Sequence, residues 1–379
     1  MRILFLTTAL YPEETAMAHR VYLFAKLCKE LGHEVYILSN GKTGYLEEKE
    51  YGGIPYKSLK VNGTSAVARY LGMKLYTRRL RKLLGRMDKP DVLFASDLEN
   101  DSLVYVKEYC RQNHVGLVYD CVEWYSPEEF DRGADDPGFK KKDYQNRVLL
   151  DETVDIISIS SYLHDYFSGK NCHTVRIPVL CDSTETVMDR STNNVVRFGY
   201  AGSPGRKDRL DLLFRALERV PHDLLEGKAE FHFVGLTREQ AQLGDEAASR
   251  CTFYGRLPHA ETLRILKQCD FTFLFRDAQA VYAKAGFPTK CVESMNCGIP
   301  LILNYSSDLA MYLHDMDNAV VAESTDEAVI AACIEKVLQL SRQEITAMQM
   351  RAKQTACEAF DYRRYAETVD EFLHNLRSV

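Results

Sequence analysis

The feature that most constrains this chain is a rhythm of short apolar runs and helical stretches that is set up twice. Residues 2–8 form a short apolar, β-rich run. Val21, Phe24, Ala25, Leu27, Cys28 and Leu31 then recur at helical spacing, and Gly32 stops the pattern as a helix-terminating glycine does. His33 to Leu38 reads as the next strand, and strand–helix–strand is the building block of a parallel sheet. Further strands are predicted at 92–95, 116–119 and 156–159, an alternation that suggests a doubly wound α/β domain. After Pro178 the chain turns polar, through 182–185 and 191–194, and reads as a linker. The rhythm restarts at 195–200, with strands at 231–235, 271–275 and 300–303. A single core rarely grows to 379 residues. The sequence therefore predicts two α/β domains, 1–185 and 186–360, and a helical tail, 361–379. In that tail Tyr365, Val369, Phe372, Leu373 and Leu376 line one face, which suits packing either on its own domain or back on the first.

Composition narrows the class. The formal net charge of -6 makes duplex nucleic acid a poor partner. Eleven cysteines are scattered without a Cys-x-x-Cys pair, which argues against a zinc site or a disulfide framework and for small buried hydrophobes in a reducing cytosol. The apolar start is too short for a signal peptide or a spanning helix, so the reading is a cytoplasmic protein, soluble or peripheral at the inner face of the membrane.

In parallel-sheet domains, ligands bind beyond the carboxyl ends of the strands. Three loops of the second half qualify. Gly199 to Asp208 follows a strand and leads into a helix. Its glycines, including Gly202 and Gly205, allow close backbone approach, Ser203 sits between them, and Arg206 and Lys207 add charge. Together they suit a diphosphate. Lys284 to Pro300 places a glycine loop before a short helix. Lys290 stands in the first turn, where a cation opposes the helix dipole unless an anion faces it. Glu293, one turn on, suits the hydroxyls of a ribose. The third segment, Phe253 to His259, is a strand ending in a turn and says little alone.

These segments, FGYAGSPGRKD, FYGRLPHAETLRILKQCDF and KAGFPTKCVESMNCGIPLI, in this order, resemble the retaining glycosyltransferases of family 4, also called group 1. The opening RILFLTTALYPEETAMAHRVYLFAKLCKELGHEVYIL looks like that family's N-terminal unit, so the resemblance spans nearly the whole chain and is weakest between 40 and 115. It implies a GT-B fold: two Rossmann-like parallel-sheet domains facing a cleft, with the C-terminal helix crossing back to the first. It also implies a nucleoside-diphosphate sugar donor held mainly by the second domain. By matching position, Lys207 and Arg206 would contact the diphosphate, and Arg256 and Leu257 would lie near base and phosphates. Gly286 and Phe287, followed by Pro288 and Thr289, would present backbone to sugar and phosphate. Glu293 matches the second glutamate of the Glu-x7-Glu signature. The first would fall at Ala285, which leaves the sugar open and admits an inactive relative. The family's double glycine near the first strand is replaced by Ala16, Met17 and Ala18.

Acceptors in this fold bind the first domain. Asp120 to Phe130 carries the only tryptophan, Trp124, with Tyr125 and several carboxylates, and rings beside carboxylates suit carbohydrate. Asp120 and Glu123 are candidates for catalysis or acceptor orientation, and His19 begins a helix nearby. Residues 69–89 carry eight cations against Asp88 alone, a local +7 that leaves -13 elsewhere. Met73, Tyr76, Leu80, Leu83, Leu84 and Met87 recur there at helical spacing. A basic amphipathic helix suits an anionic membrane surface, and equally a surface helix packed on its own sheet.

The resulting expectation is transfer of a hexose-type sugar to a hydroxyl of a glycan or lipid-linked acceptor, with retention of configuration, in polysaccharide or surface-glycan biosynthesis. No Asp-x-Asp motif stands near the donor loops, so no metal is required. A non-catalytic binding relative is the alternative, and a nucleotide-sugar 2-epimerase a more distant one, lacking a clear acid–base pair.

Overall fold

The computed structural model describes residues 1–377 apart from 13–14, 42–46, 62–65, 185–193, 203–204, 206 and 242. For 60, 61, 66–74 and 246 it describes the backbone alone. The chain divides into two units, Met1–Leu180 with Tyr362–Val379, and Cys181–Asp361.

The first unit is built on an eight-stranded sheet. Its strands are β1 (Arg2–Leu10), β2 (Glu34–Gly41), β3 (Glu48–Tyr51), β4 (Ile54–Val61), β5 (Val92–Ser96), β6 (Gly116–Cys121), β7 (Asp155–Ser158) and β8 (Thr174–Arg176), in the order β3-β4-β2-β1-β5-β6-β7-β8. Of these strands β3 alone runs antiparallel to its neighbour, as the first arm of a hairpin with β4. Helices on the faces bury the central strands on both sides, which is why they read as unbroken apolar runs. Ile3 to Leu6 and Val92 to Ala95 are buried, and Phe5 stacks on Phe94 with ring centroids 4.6 Å apart.

The second unit carries a six-stranded, all-parallel sheet. Its strands are β9 (Val196–Ala201), β10 (Ala229–Val234), β11 (Cys251–Gly255), β12 (Phe271–Leu274), β13 (Leu301–Leu303) and β14 (Val320–Val321), in the order β11-β10-β9-β12-β13-β14. Aromatic packing fixes its centre. Phe198 on β9 pairs in register with Phe231 and with Phe271, and its ring stacks on Phe231 at 4.9 Å and Phe273 at 5.5 Å.

The helix Ala366–His374 belongs to the first unit. Val369, Phe372 and Leu373 are buried in that unit's core. Phe372 stacks on His173 at 4.6 Å, and the Tyr362 hydroxyl donates to Glu30 at 2.7 Å. Of the two packings the tail's periodicity allows, the chain adopts the return.

The basic helix Ala66–Leu84 buries Tyr76, Leu80 and Leu84. Its Tyr76 hydroxyl donates to Thr7 O on β1 at 3.2 Å, and Arg79 donates to Leu59 O on β4 at 2.8 Å. Packing on its own sheet thus uses the apolar stripe, while Arg78, Arg81, Lys82 and Arg86 remain exposed. Among the described residues no helix is long and apolar enough to cross a membrane. The eleven cysteines are free thiols, nine of them buried.

Candidate active site

In the second sheet the strand order reverses between β9 and β12, the point where parallel sheets bind ligands beyond their carboxyl ends. The loops leaving these two strands are stitched together there. Asp208 and Arg276 form an antiparallel bridge, and Arg209 N donates to Phe275 O at 2.8 Å. Asn304 braces the second loop from beyond β13, accepting from Arg276 N at 2.9 Å and donating to Arg276 O at 2.9 Å.

Asp208 is the hub of this junction. Its side chain is 9% exposed. One carboxylate oxygen accepts from Arg276 Nε at 3.1 Å. The other accepts from the Tyr200 hydroxyl at 3.0 Å and from Lys290 Nζ. Lys290 also donates to Tyr200 OH at 2.8 Å and lies 4.5 Å from the centre of that ring. Burial alone would push the Asp208 carboxyl up, but the charges of Lys290 and Arg276 more than offset it and hold it below its ordinary range. Burial, and then the neighbouring carboxylate, push the Tyr200 hydroxyl well up, so it stays a donor.

Lys290 stands in the first turn of the helix Thr289–Asn296, whose opening N–H groups have no intrahelical acceptor. The anion that makes this placement tolerable is Asp208, a residue the motif reading quoted but gave no role. Glu293, three residues on and exposed, lies on the same side of the helix. The strand ends are drawn together by glycine. A Cβ on Gly235, whose φ is +98°, would overlap the Gly202 carbonyl oxygen, and one on Gly202 would overlap Lys290 Nζ. Gly202 N donates to Val234 O at 3.0 Å and Gly235 N to Gly255 O at 2.7 Å, so the loops after β9, β10 and β11 form one layer. A cavity of about 340 Å³ opens beside it, lined by Gly205, Asp208 and Leu236 and by the charged Asp211, Arg215 and Glu218.

The remaining donor-side candidates fall into place unevenly. Lys207 lies 5.8 Å from the centre of the Tyr282 ring, and its carbonyl accepts from Tyr282 OH at 3.0 Å. Arg256 is exposed at the end of β11, with Leu257 half-buried behind it. Ser203 and Arg206 lie outside the described residues. Gly286 does not offer its N–H to a ligand, because that group closes the helix Val281–Ala285 by donating to Tyr282 O at 3.0 Å. Phe287 is a core side chain, edge-on to Tyr312 and Phe360. Ala285 is fully buried. Pro288 caps the helix that Thr289 opens.

On the first unit the structure corrects two candidates. Asp120 is not presented to a ligand: its two oxygens accept from Arg20 Nε at 2.8 Å and Nη2 at 2.9 Å, and its side chain is 0% exposed. Trp124 is not an open platform for a sugar. It is buried edge-on against Tyr166 at 4.6 Å, with Arg147 over its face and Nε1 donating to Asp143 at 2.9 Å. Glu123 is exposed, and it, after burial, raises the half-buried Tyr125 hydroxyl. Ala16 and His19 are exposed at the start of the helix Ala16–Glu30, which Thr15 caps. The switch point of this sheet, between β1 and β5, carries a residue the sequence reading passed over. Asp97, at φ 47°, accepts from Thr8 Oγ1 at 3.0 Å and from Lys142 at 3.1 Å. Among the described residues no three His, Cys, Asp or Glu side chains gather as a metal would require.

Residues 195–340 match the model of the family described as Glycosyl transferases group 1. This segment is similar to group 1 glycosyltransferases. The matched residues take in the switch-point loops, Asp208, Arg276 and Lys290. Solved structures share the fold of both units. HepE from Anabaena in complex with UDP and glucose is 16% identical, with a TM-score of 0.67 over 99% of this chain and 100% of that one. Sucrose-phosphate synthase from Thermosynechococcus elongatus is 12% identical, with a TM-score of 0.74 over 99% of each chain. The catalytic domain of starch synthase IV from Arabidopsis thaliana, bound to ADP and acarbose, is 11% identical, with a TM-score of 0.69 over 98% of each. No curated protein matches the chain. The two parallel-sheet units are those of the GT-B fold.

Proposed function

We propose that this glycosyltransferase moves a sugar from a nucleoside-diphosphate donor to a hydroxyl of a glycan or lipid-linked acceptor, with retention of configuration, in polysaccharide or surface-glycan synthesis. The observation that carries the reading is the cationic switch point of the second unit. There Lys290 meets the opening turn of a helix beside a glycine-lined loop that carries Lys207. Helix N–H groups and ammonium donors together suit a departing diphosphate, whose charge grows as the sugar leaves. The relatives of like fold bind UDP in one case and ADP in another, which supports a nucleoside-diphosphate donor and leaves the base open. Glu293 would take the ribose hydroxyls. On the first unit, Glu123, Tyr125 and Asp97 are the polar groups we assign to the acceptor, in place of Asp120 and Trp124. The exposed cations Arg78, Arg81, Lys82 and Arg86 would meet an anionic lipid surface if the acceptor is lipid-linked.

Ala285 favours a second reading, a non-catalytic relative that still binds nucleotide, because a fully buried methyl stands where the family places a carboxylate. Release of nucleoside diphosphate from UDP-, ADP- and GDP-sugars separates the two. Turnover lost in Lys207→Ala and Lys290→Ala supports transfer. Binding without turnover supports the relative, and turnover unchanged in both variants overturns the donor site. Sugar analysis without acceptor would expose an epimerase.

A further inference from the structure

Two cations share one carboxylate at the switch point, and they differ in exposure. Arg276, 12% exposed, holds one oxygen of Asp208 from the buried side, and its loop is stitched to that of Asp208 by the backbone bridge. Lys290, 31% exposed, holds the other oxygen from the open side. An ammonium has three donors, of which Asp208 and Tyr200 take two. Stripping the only partner from a buried carboxylate is costly, but this one keeps Arg276 and Tyr200 when Lys290 turns away. Gly202 keeps the space above Lys290 Nζ clear, since any side chain there would overlap it.

We propose that Asp208 is a positioning residue of the donor site: it holds Lys290 over the glycine loop, aimed and mobile, while Arg276 keeps the carboxylate paired as the ammonium turns to an incoming diphosphate. The inference rests on the donor reading above. Asp208 itself touches no donor atom. Its negative charge opposes anion binding, and its benefit lies in orientation. Binding and turnover should therefore part company when the charge is removed.

The test uses the full chain and Asp208→Asn, Lys290→Met and the double variant, each checked by melting temperature. Titration calorimetry with inorganic pyrophosphate and with UDP, ADP and GDP reads binding. Release of nucleoside diphosphate from UDP-glucose, ADP-glucose and GDP-mannose reads turnover. In Asp208→Asn the anion Kd should stay equal or tighten, while kcat falls about tenfold or more, the scale at which misplacing a reacting group acts. Lys290→Met should weaken the anion about tenfold, and the double variant should resemble Lys290→Met alone, as coupled residues do. A kcat within twofold of wild type in Asp208→Asn, losses of binding and turnover in step, or additive effects in the double variant would overturn the inference. If the wild-type chain binds none of the probes, the donor reading falls and takes this inference with it. Wild-type binding with an unaffected Asp208→Asn removes the inference alone.

Discussion

Asp120 and Asp208 are built alike and used differently. Each sits at the carboxyl-end side of a parallel strand, and each is clamped by an arginine. Around Asp120 the clamp is closed: Arg20, also buried, gives two further donors to the Ile177 and Pro178 carbonyls. Around Asp208 the arginine is joined by a lysine that reaches solvent. The first arrangement satisfies every charge internally and can only hold the fold. The second carries a surplus positive charge at an open strand end, which is what an anionic ligand requires. On the donor reading proposed above, a buried acid–base pair marks a site only when one partner can be spared.

The largest effect that separates the two should come from stability. Arg20→Met strands a buried carboxylate and should cost about 3–5 kcal/mol in urea unfolding. Lys290→Met leaves Asp208 with Arg276 and Tyr200 and should cost under about 1 kcal/mol, as a part-exposed pair does. Equal losses would break the comparison. Next, Gly202→Ala should weaken nucleoside-diphosphate binding by about tenfold, or about 1.4 kcal/mol, and lower the melting temperature as well. The added methyl meets the Lys290 ammonium and the buried Tyr200 hydroxyl, at a φ of +158° that side chains rarely adopt. Titration calorimetry beside differential scanning calorimetry checks the pair of effects. The smallest effect is on pH. The Asp208 carboxyl is depressed by Lys290 and Arg276 against its burial. Its contribution is thus complete above the unfolded value of about 4 and is lost as pH falls through the lower folded value. Asp208→Asn should flatten that acid limb of the stability curve, and an unchanged limb would count against the depressed carboxyl.

These effects fall on residues the sequence exposed to different degrees. The buried parallel strands were legible because both faces are covered and the apolar runs are continuous, as at Ile3 to Leu6 and Phe271 to Leu274. Strands β3, β8 and β14 were not, being short and largely not buried, so no continuous apolar run marks them. The β3–β4 hairpin did leave a signal, the Gly52-Gly53 turn with φ of +57° and +75°, between Tyr51 and Ile54. Lys290 was legible as a cation at the wrong end of a helix. Asp208 was not, because its partners Tyr200, Arg276 and Lys290 lie 8, 68 and 82 residues away and meet only when the sheet reverses its strand order. Trp124 misled for the opposite reason. Its composition suited carbohydrate, but Tyr162, Tyr166 and Arg147 are what it faces.

The most direct test of the donor site is a thermal shift of the whole chain against UDP, ADP, GDP and their sugars, with Lys207→Ala and Glu293→Ala alongside. A ligand that binds only the folded state raises the melting temperature by mass action. The account predicts a rise with one nucleoside-diphosphate family, lost in both variants. No rise with any of them, or a rise both variants retain, would contradict it.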